Sequence, residues 1–325
     1  MDRNLNNGDS RCGRVFRKSL GSYFVQCDDS IVVCSISSRL RKVLIYPAAD
    51  PSSRRPTVDK VDDIRAVDPV AINDEVRFIE AGDGTGLITE VLPRRNKLSR
   101  RAAGAKPLEQ VIVANVDQVV PMLSADKPRP KWALLDRYLA EAEYAEIPAL
   151  ICITKLDLVD ENEIGNDMRT YTDIGYSVIL TSAEDGRGLD EFKNALVGRV
   201  SVFVGKSGVG KTTLLNAIQP DLGLRVTEVS RATGKGKHTT SHLEMFPLDI
   251  GGSVVDTPGM REFGFWGMAG ADFAYLFPEM RPLIGGCRFG SDCTHVHEPG
   301  CAIKEAVESG KIAETRYESY AKLAR

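Results

Sequence analysis

The 325-residue sequence lacks the features that would place it in a membrane or outside a reducing compartment. No stretch approaches the roughly 18 uninterrupted apolar residues of a membrane span. Its first residues, MDRNLNNGDSRCGR, lack the apolar core of a secretory signal. The seven cysteines are odd in number, and three of them crowd beside two histidines, which argues for a metal site and against a disulfide framework. A secreted, membrane or collagen-like protein is excluded by this reading and a cytoplasmic one is expected. Aromatic residues are scarce at 7%, and the four histidines fall in two short segments, His238/His242 and His295/His297. Histidine gathered in this way points to chemistry more than to packing. A strong excess of either charge is also missing, since the net charge is −3. Residues 1–105, however, carry 18 Lys and Arg against 14 Asp and Glu, a local +4 that leaves −7 for the rest. A basic first third on an acidic body permits a polyanionic partner at one end.

What is present falls into segments of different pattern. Residues 1–10 read as a polar tail. From Gly13 to about Leu92 short β-like runs follow one another: Val15-Phe16, Tyr23 to Cys27, Ile31 to Cys34, Val43 to Tyr46, Val76 to Phe78 and Gly86 to Ile88. So many short strands in about 80 residues suggest a small OB-fold barrel, a frequent oligonucleotide platform. Arg94, Arg95, Lys97, Arg100 and Arg101 read as a basic linker, which closes an RNA-binding domain over 11–105. The pattern then alternates. Gln110–Val120 reads as one buried strand and Trp132–Glu143 as a helix. Ala149–Ile153, Ser177–Leu180, Val200–Val204 and Gly252–Val255 read as further strands. Strands alternating with helices predict a parallel α/β sheet over 106–283. Residues 284–325 hold the Cys/His cluster and a polar helical tail, Lys304–Ala324, interrupted at Gly310.

The most specific local pattern is Gly205-Lys206-Ser207-Gly208-Val209-Gly210-Lys211-Thr212-Thr213, a G-x-x-x-x-G-K-T directly after a strand and before an amphipathic helix. Backbone N–H groups of such a loop wrap phosphates, and the helix N-terminus adds partial positive charge. Lys211 is placed to reach the β- and γ-phosphates, and the Thr212 hydroxyl to ligate Mg²⁺. Further on, Val254-Val255-Asp256-Thr257-Pro258-Gly259 sets a carboxylate at a strand end. Asp256 fits the Mg²⁺-linked carboxylate, and the Gly259 N–H a sensor of the γ-phosphate.

Base choice rests on Thr154-Lys155-Leu156-Asp157 after an apolar strand. A carboxylate at Asp157 accepts from both N1–H and the 2-amino group of guanine, while adenine offers neither donor there. The Lys155 stem is expected along the ring face. The commoner residue at position 154 is Asn, so Thr154 loses an amide and keeps a hydroxyl. Thr181-Ser182-Ala183 fits a loop contacting the guanine oxygen through backbone N–H. These guanine motifs precede the phosphate loop, the reverse of a small GTPase. Joining the original termini and opening the chain elsewhere gives the same sheet, so a circularly permuted GTPase is expected.

Four further features bear on catalysis, metal binding and contact. Met260 stands where a Ras-like site has a water-orienting Gln. The glycine-rich run Gly234–Thr240 falls where the first switch lies, with Thr240, or alternatively Thr239, to close on Mg²⁺, and His238 placed to orient or deprotonate water. Arg231, Lys235 and Lys237 make that segment basic, suiting a switch ordered by RNA phosphates or merely a solvated face. Cys287-x5-Cys293-x-His295-x5-Cys301 supplies three thiolates and an imidazole, the ligand set of one structural Zn²⁺, with His297 an alternative to His295. Phe263, Phe265 and Trp266 form either a contact surface or packing behind the switch.

Taken together, the barrel-like start, TKLD, TSA, GKSGVGKTT, the His-Thr-Thr segment, DTPG and the terminal Cys/His module resemble the YjeQ/YloQ (RsgA) family of bacterial small-ribosomal-subunit biogenesis GTPases, over about residues 11–322. The resemblance implies an OB domain, a circularly permuted GTPase domain and a zinc domain. It implies GTP hydrolysis with Mg²⁺, a catalytic role for His238, and zinc ligands Cys287, Cys293, His295 and Cys301, although the family's first cysteine spacer is usually one residue shorter. The implied partners are the 30S subunit and its 16S rRNA, not DNA or a membrane, and the implied state is a monomer.

Overall fold

The computed structural model describes residues 10–19, 21–41, 44–45, 60–61, 68–81, 83–101, 109–222, 243–256 and 270–324. They fall into two compact units: one holds the described residues up to Asn115 together with Leu243–Met245, and the other holds the rest.

In the first unit, the alternating runs become β1 (Ser10–Ser19), β2 (Ser22–Cys27), β3 (Ser30–Ile36), β4 (Glu75–Glu80) and β5 (Thr85–Val91). The strands β1, β2 and β3 pair antiparallel in succession, β3 pairs parallel with β5, β5 returns antiparallel to β4, and β4 pairs with β1. That circuit closes a five-stranded barrel, the OB-fold arrangement, and leaves no free sheet edge in the ring. The inward positions of the period-2 pattern fill it: Val15, Val25, Cys34, Val76, Phe78 and Ile88 are all buried.

The basic run after the barrel is not a linker. Lys97–Arg101 forms β6, antiparallel to β7 (Glu109–Ala114). Arg94 clasps the fully buried Asp74 through two 2.7 Å hydrogen bonds, and Lys97 pairs with Glu109 at 2.7 Å. Part of the charge that reads as available to a polyanion is therefore engaged internally. The expected single strand Gln110–Val120 is likewise two. It breaks at Asn115, which takes a left-handed conformation (φ 55°) that asparagine tolerates, and whose side chain accepts from Arg95 N and donates to the Asn73 carbonyl.

The second unit opens with β8 (Gln118–Ser124), followed by β9 (Leu150–Thr154), β10 (Ser177–Leu180) and β11 (Val200–Val204); β12 (Leu243–Pro247) begins in the first unit and ends in the second, which then forms β13 (Ser253–Asp256). The order β10-β9-β8-β11-β13 is parallel throughout. Helices α1 (Trp132–Tyr144), α2 (Glu161–Thr172), α3 (Leu189–Leu196) and α4 (Lys211–Ile218) connect these strands. Because both sheet faces are covered, β8, β9 and β11 are buried at every position, which explains why they are mainly apolar without a polar-apolar alternation. Alternate residues still serve different cores. Met122, Cys152 and Phe203 pack with Phe192 of α3 and Leu214 and Leu215 of α4. Leu123, Ile151 and Ile153 pack with Leu135 of α1 and Ile164 and Met168 of α2.

The C-terminal tail forms α5 (Ala302–Glu308) and α6 (Glu314–Leu323), separated by a turn in which Gly310 has φ 74°. A third core of Phe277, Met280, Ile303, Tyr320 and the three clustered cysteines also includes Ala140 of α1.

Candidate nucleotide and metal sites

The phosphate loop is set by two anchors. Strand β11 delivers Gly205 so close to β8 that a Cβ there would stand 2.5 Å from the Met122 carbonyl oxygen. Val209 is buried in the core on the α3–α4 side of the sheet. Gly210, at φ 97°, turns the chain into α4, whose first residue is Lys211. The Lys211 ammonium lies across the loop, donating to the carbonyls of Gly205 (2.7 Å) and Lys206 (3.2 Å). Lys206, Ser207 and Thr213 are exposed, and Gly208 and Thr212 half-buried, at the N-terminal end of the helix where its dipole favours an anion.

The guanine motifs lie against this loop. Thr154 ends β9 beneath it, and its hydroxyl donates to the Val209 carbonyl. Lys155 adopts φ 59°, and its ammonium donates to the carbonyls of Gly208 at 2.7 Å and of Lys127 in the loop after β8. Burial lowers the pKa of this lysine against the opposing pull of Asp157 and Asp126. Leu156 packs in the core and its N–H donates to the Thr181 carbonyl at 3.1 Å.

Asp157 is exposed, and its carboxylate accepts the Ser182 hydroxyl at 2.7 Å. Ser182 in turn accepts the backbone N–H groups of Glu184 and Asp185. Thr181 faces inward, its hydroxyl donating to the Ile153 carbonyl at 3.0 Å, and Ala183 packs beside the core. Thus residues 154–157, 181–183 and 205–213 follow the C-terminal ends of β9, β10 and β11 in one parallel sheet, where open α/β sheets bind ligands. Asp256 ends β13 in register with Phe203 of β11. His238, Thr239, Thr240, Gly259 and Met260 lie outside the described residues, as do Arg231, Lys235, Lys237 and the three rings Phe263, Phe265 and Trp266.

The four sulfur and nitrogen donors of Cys287, Cys293, His295 and Cys301 lie within 4.8 Å of one another, and all four residues are buried. Zn–S bonds of about 2.3 Å and Zn–N bonds of about 2.0 Å in a tetrahedron require S···S near 3.8 Å and S···N near 3.5 Å. The structure has Cys287 Sγ to Cys301 Sγ at 3.8 Å, and His295 Nδ1 at 3.3 and 3.5 Å from those sulfurs. The donor set therefore fits zinc, and His297, exposed and outside the group, does not belong to it. Burial raises the Cys293 thiol to about 12, so a cation is what would hold these sulfurs as thiolates.

The ligand loop is held from α6: Tyr317 and Tyr320 donate their hydroxyls to the carbonyls of His295 (2.8 Å) and Thr294 (2.6 Å). Glu298 accepts from the N–H groups of Thr294, Val296 and His297 and from the Thr294 hydroxyl, which hold its carboxyl near 2.

A third cluster escaped the sequence. Arg316 of α6 is fully buried, donating to Asp136 of α1 (2.7 Å) and to Glu279 (2.7 Å). Burial works to lower its pKa, but the two carboxylates more than offset this and raise it. Tyr171 of α2 also donates to Asp136, at 2.9 Å. Nothing local in a polar helix marks one arginine as buried.

Connectivity decides the class. The strand carrying Thr154 precedes, in the chain, the strand carrying the phosphate loop, although the two flank β8 in the same sheet. This is a circularly permuted GTPase fold, behind an N-terminal OB-type barrel. A family model described as RsgA GTPase matches residues 91–266. The chain is 36% identical over 312 residues to the small ribosomal subunit biogenesis GTPase RsgA of Bacteroides fragilis, covering 95% of this chain and 94% of that protein. It is similar to the crystal structure of YjeQ from Thermotoga maritima, with a TM-score of 0.71 at 30% identity and 97% of each chain covered. It is also similar to that of YloQ, described as a circularly permuted GTPase, with a TM-score of 0.67 at 30% identity, covering 99% of this chain and 96% of that one. The chain belongs to the RsgA GTPase family. Among the described residues no helix is long and apolar enough to cross a membrane.

Proposed function

We propose that the protein is a cytoplasmic GTP phosphohydrolase that binds the 30S ribosomal subunit during its late maturation and turns over faster when bound. The observation that carries the guanine part is the fixed carboxylate of Asp157, held by Ser182 beside the phosphate loop. Asp157 accepts from N1–H and the 2-amino group of the base, and the backbone of 181–183 faces its oxygen. The N–H groups of 205–213 cradle the phosphates, with Lys211 over the β- and γ-phosphates and Gly259 N–H at the γ-phosphate. Thr212, Asp256 and Thr240 hold the Mg²⁺, which supplies charge neutralisation at the transferred group. His238 orients the attacking water, a task Met260 has no group to perform.

The 30S part rests on family membership and on the name borne by the relatives. The OB domain over 11–105 meets 16S rRNA. The GTPase domain spans 106–283, and the zinc domain over 284–325 carries one structural Zn²⁺ on Cys287, Cys293, His295 and Cys301. The protein works as a monomer, without DNA or membrane. The test is hydrolysis by purified protein alone, with 30S and with 50S subunits, with ATP as control. Stimulation by 30S alone with ATP inert is expected. Stimulation by 50S alone would move the target. Met260 favours a second reading, a docking module gated by GTP with negligible turnover, and an absence of stimulation by either subunit would favour it over the first.

A further inference from the structure

The hydroxyl of Thr154 carries one hydrogen, and two carbonyls face it: that of Val209 in the phosphate loop, and that of Leu123 at 3.3 Å. Thr154 is 3% exposed and Val209 4%. Turning the hydrogen outward would leave a buried loop carbonyl without this donor, which is disfavoured. An asparagine at the same place has two amide hydrogens and can serve the loop carbonyl while presenting a second donor to the base. Of the three hydrogens of the neighbouring Lys155 ammonium, two are taken by the carbonyls of Gly208 and Lys127.

Guanine at N7 is an acceptor only, whereas its 2-amino group is a donor that a carboxylate such as Asp157 reads. We infer that Thr154 is a specificity-determining residue that ties the guanine loop to the phosphate loop and leaves N7 unread. The accepted substrates are then nucleotides bearing guanine's N1–H and 2-amino edge whatever atom stands at position 7, including 7-deazaguanine nucleotides. This rests on the guanine reading proposed above.

The test is calorimetric titration of the full-length protein with GDP, 7-deaza-GDP and inosine diphosphate, which lacks the 2-amino group. The wild type is expected to bind 7-deaza-GDP within about twofold of GDP and inosine diphosphate about tenfold more weakly. T154N, folded by circular dichroism, is expected to acquire a preference of about fivefold for GDP over 7-deaza-GDP. A wild type that binds 7-deaza-GDP fivefold or more weakly than GDP overturns the proposal, with no dependence on the variant. A T154N ratio equal to that of the wild type overturns the assignment to residue 154. Equal binding of GDP and inosine diphosphate is a separate failure, that of Asp157 as base reader, and the 7-deaza comparison still decides the N7 question.

Discussion

A carboxylate that reads a base must be held before the base arrives, because freezing it on binding subtracts from affinity. Asp157 is exposed, so nothing in the core immobilises it. The Ser182 hydroxyl does so at 2.7 Å, and Ser182 is itself fixed by the N–H groups of Glu184 and Asp185. Removing one hydrogen bond to a charged group is worth about 1 kcal/mol or somewhat more, so S182A should raise the GDP dissociation constant about fivefold to tenfold. Titration with a fluorescent GDP analogue measures this, and an unchanged constant would mean that the nucleotide alone orients Asp157. Both residues are legible in the sequence because each sits in a short motif. Their contact spans 25 positions and is not. The same limit applies to Thr154, where the residue type shows a lost amide but not that the hydroxyl faces inward to Val209.

At the scale of elements, α6 carries the sharpest difference between pattern and structure. Its residues Glu314–Leu323 read as a polar tail, yet Arg316 is buried against Asp136, 180 positions away, and Ser319 donates to the same carboxylate. Hydropathy assigns arginine to solvent, and only the partner carboxylates on α1 and at Glu279 reverse that. By contrast, α1 and the parallel strands were legible because burial on a whole face writes itself into local periodicity. The break at Asn115 was not, since asparagine within an apolar run does not by itself announce a left-handed turn.

The buried triad yields a prediction at this scale. R316L leaves Asp136 and Glu279 buried without their cation and should cost about 3–5 kcal/mol in urea denaturation. The triple variant D136L/E279M/R316M should return to within about 2 kcal/mol of wild type, because the ion network stabilises little relative to apolar packing. A triple variant as unstable as R316L would show that these charges also determine how α6 seats.

Across the second unit, the two candidate sites rest on different cores. The phosphate loop is anchored through Val209 among Met122, Phe203, Leu214 and Leu215, and none of these residues is in the cluster around Cys287, Cys293 and Cys301. The core around the metal cluster includes Ala140 of α1, which packs with Phe277 and Tyr320, while Leu135 and Leu139 of the same helix pack on the parallel sheet. Zinc removal should therefore dissolve the C-terminal packing without dismantling the nucleotide loop. Four buried donors that lose their cation sacrifice folding free energy of several kcal/mol, which for a unit of this size lowers the melting midpoint by roughly 10 °C.

A strong chelator should produce that shift and release one zinc per chain, while GDP affinity stays within about threefold. Calorimetry before and after chelation, with GDP titration of the chelated protein, checks both halves. Loss of GDP binding together with zinc would show that α1 transmits the integrity of the metal module to the loop holding Lys155. The metal module and the nucleotide site would then share one folding unit, which chelation could not divide.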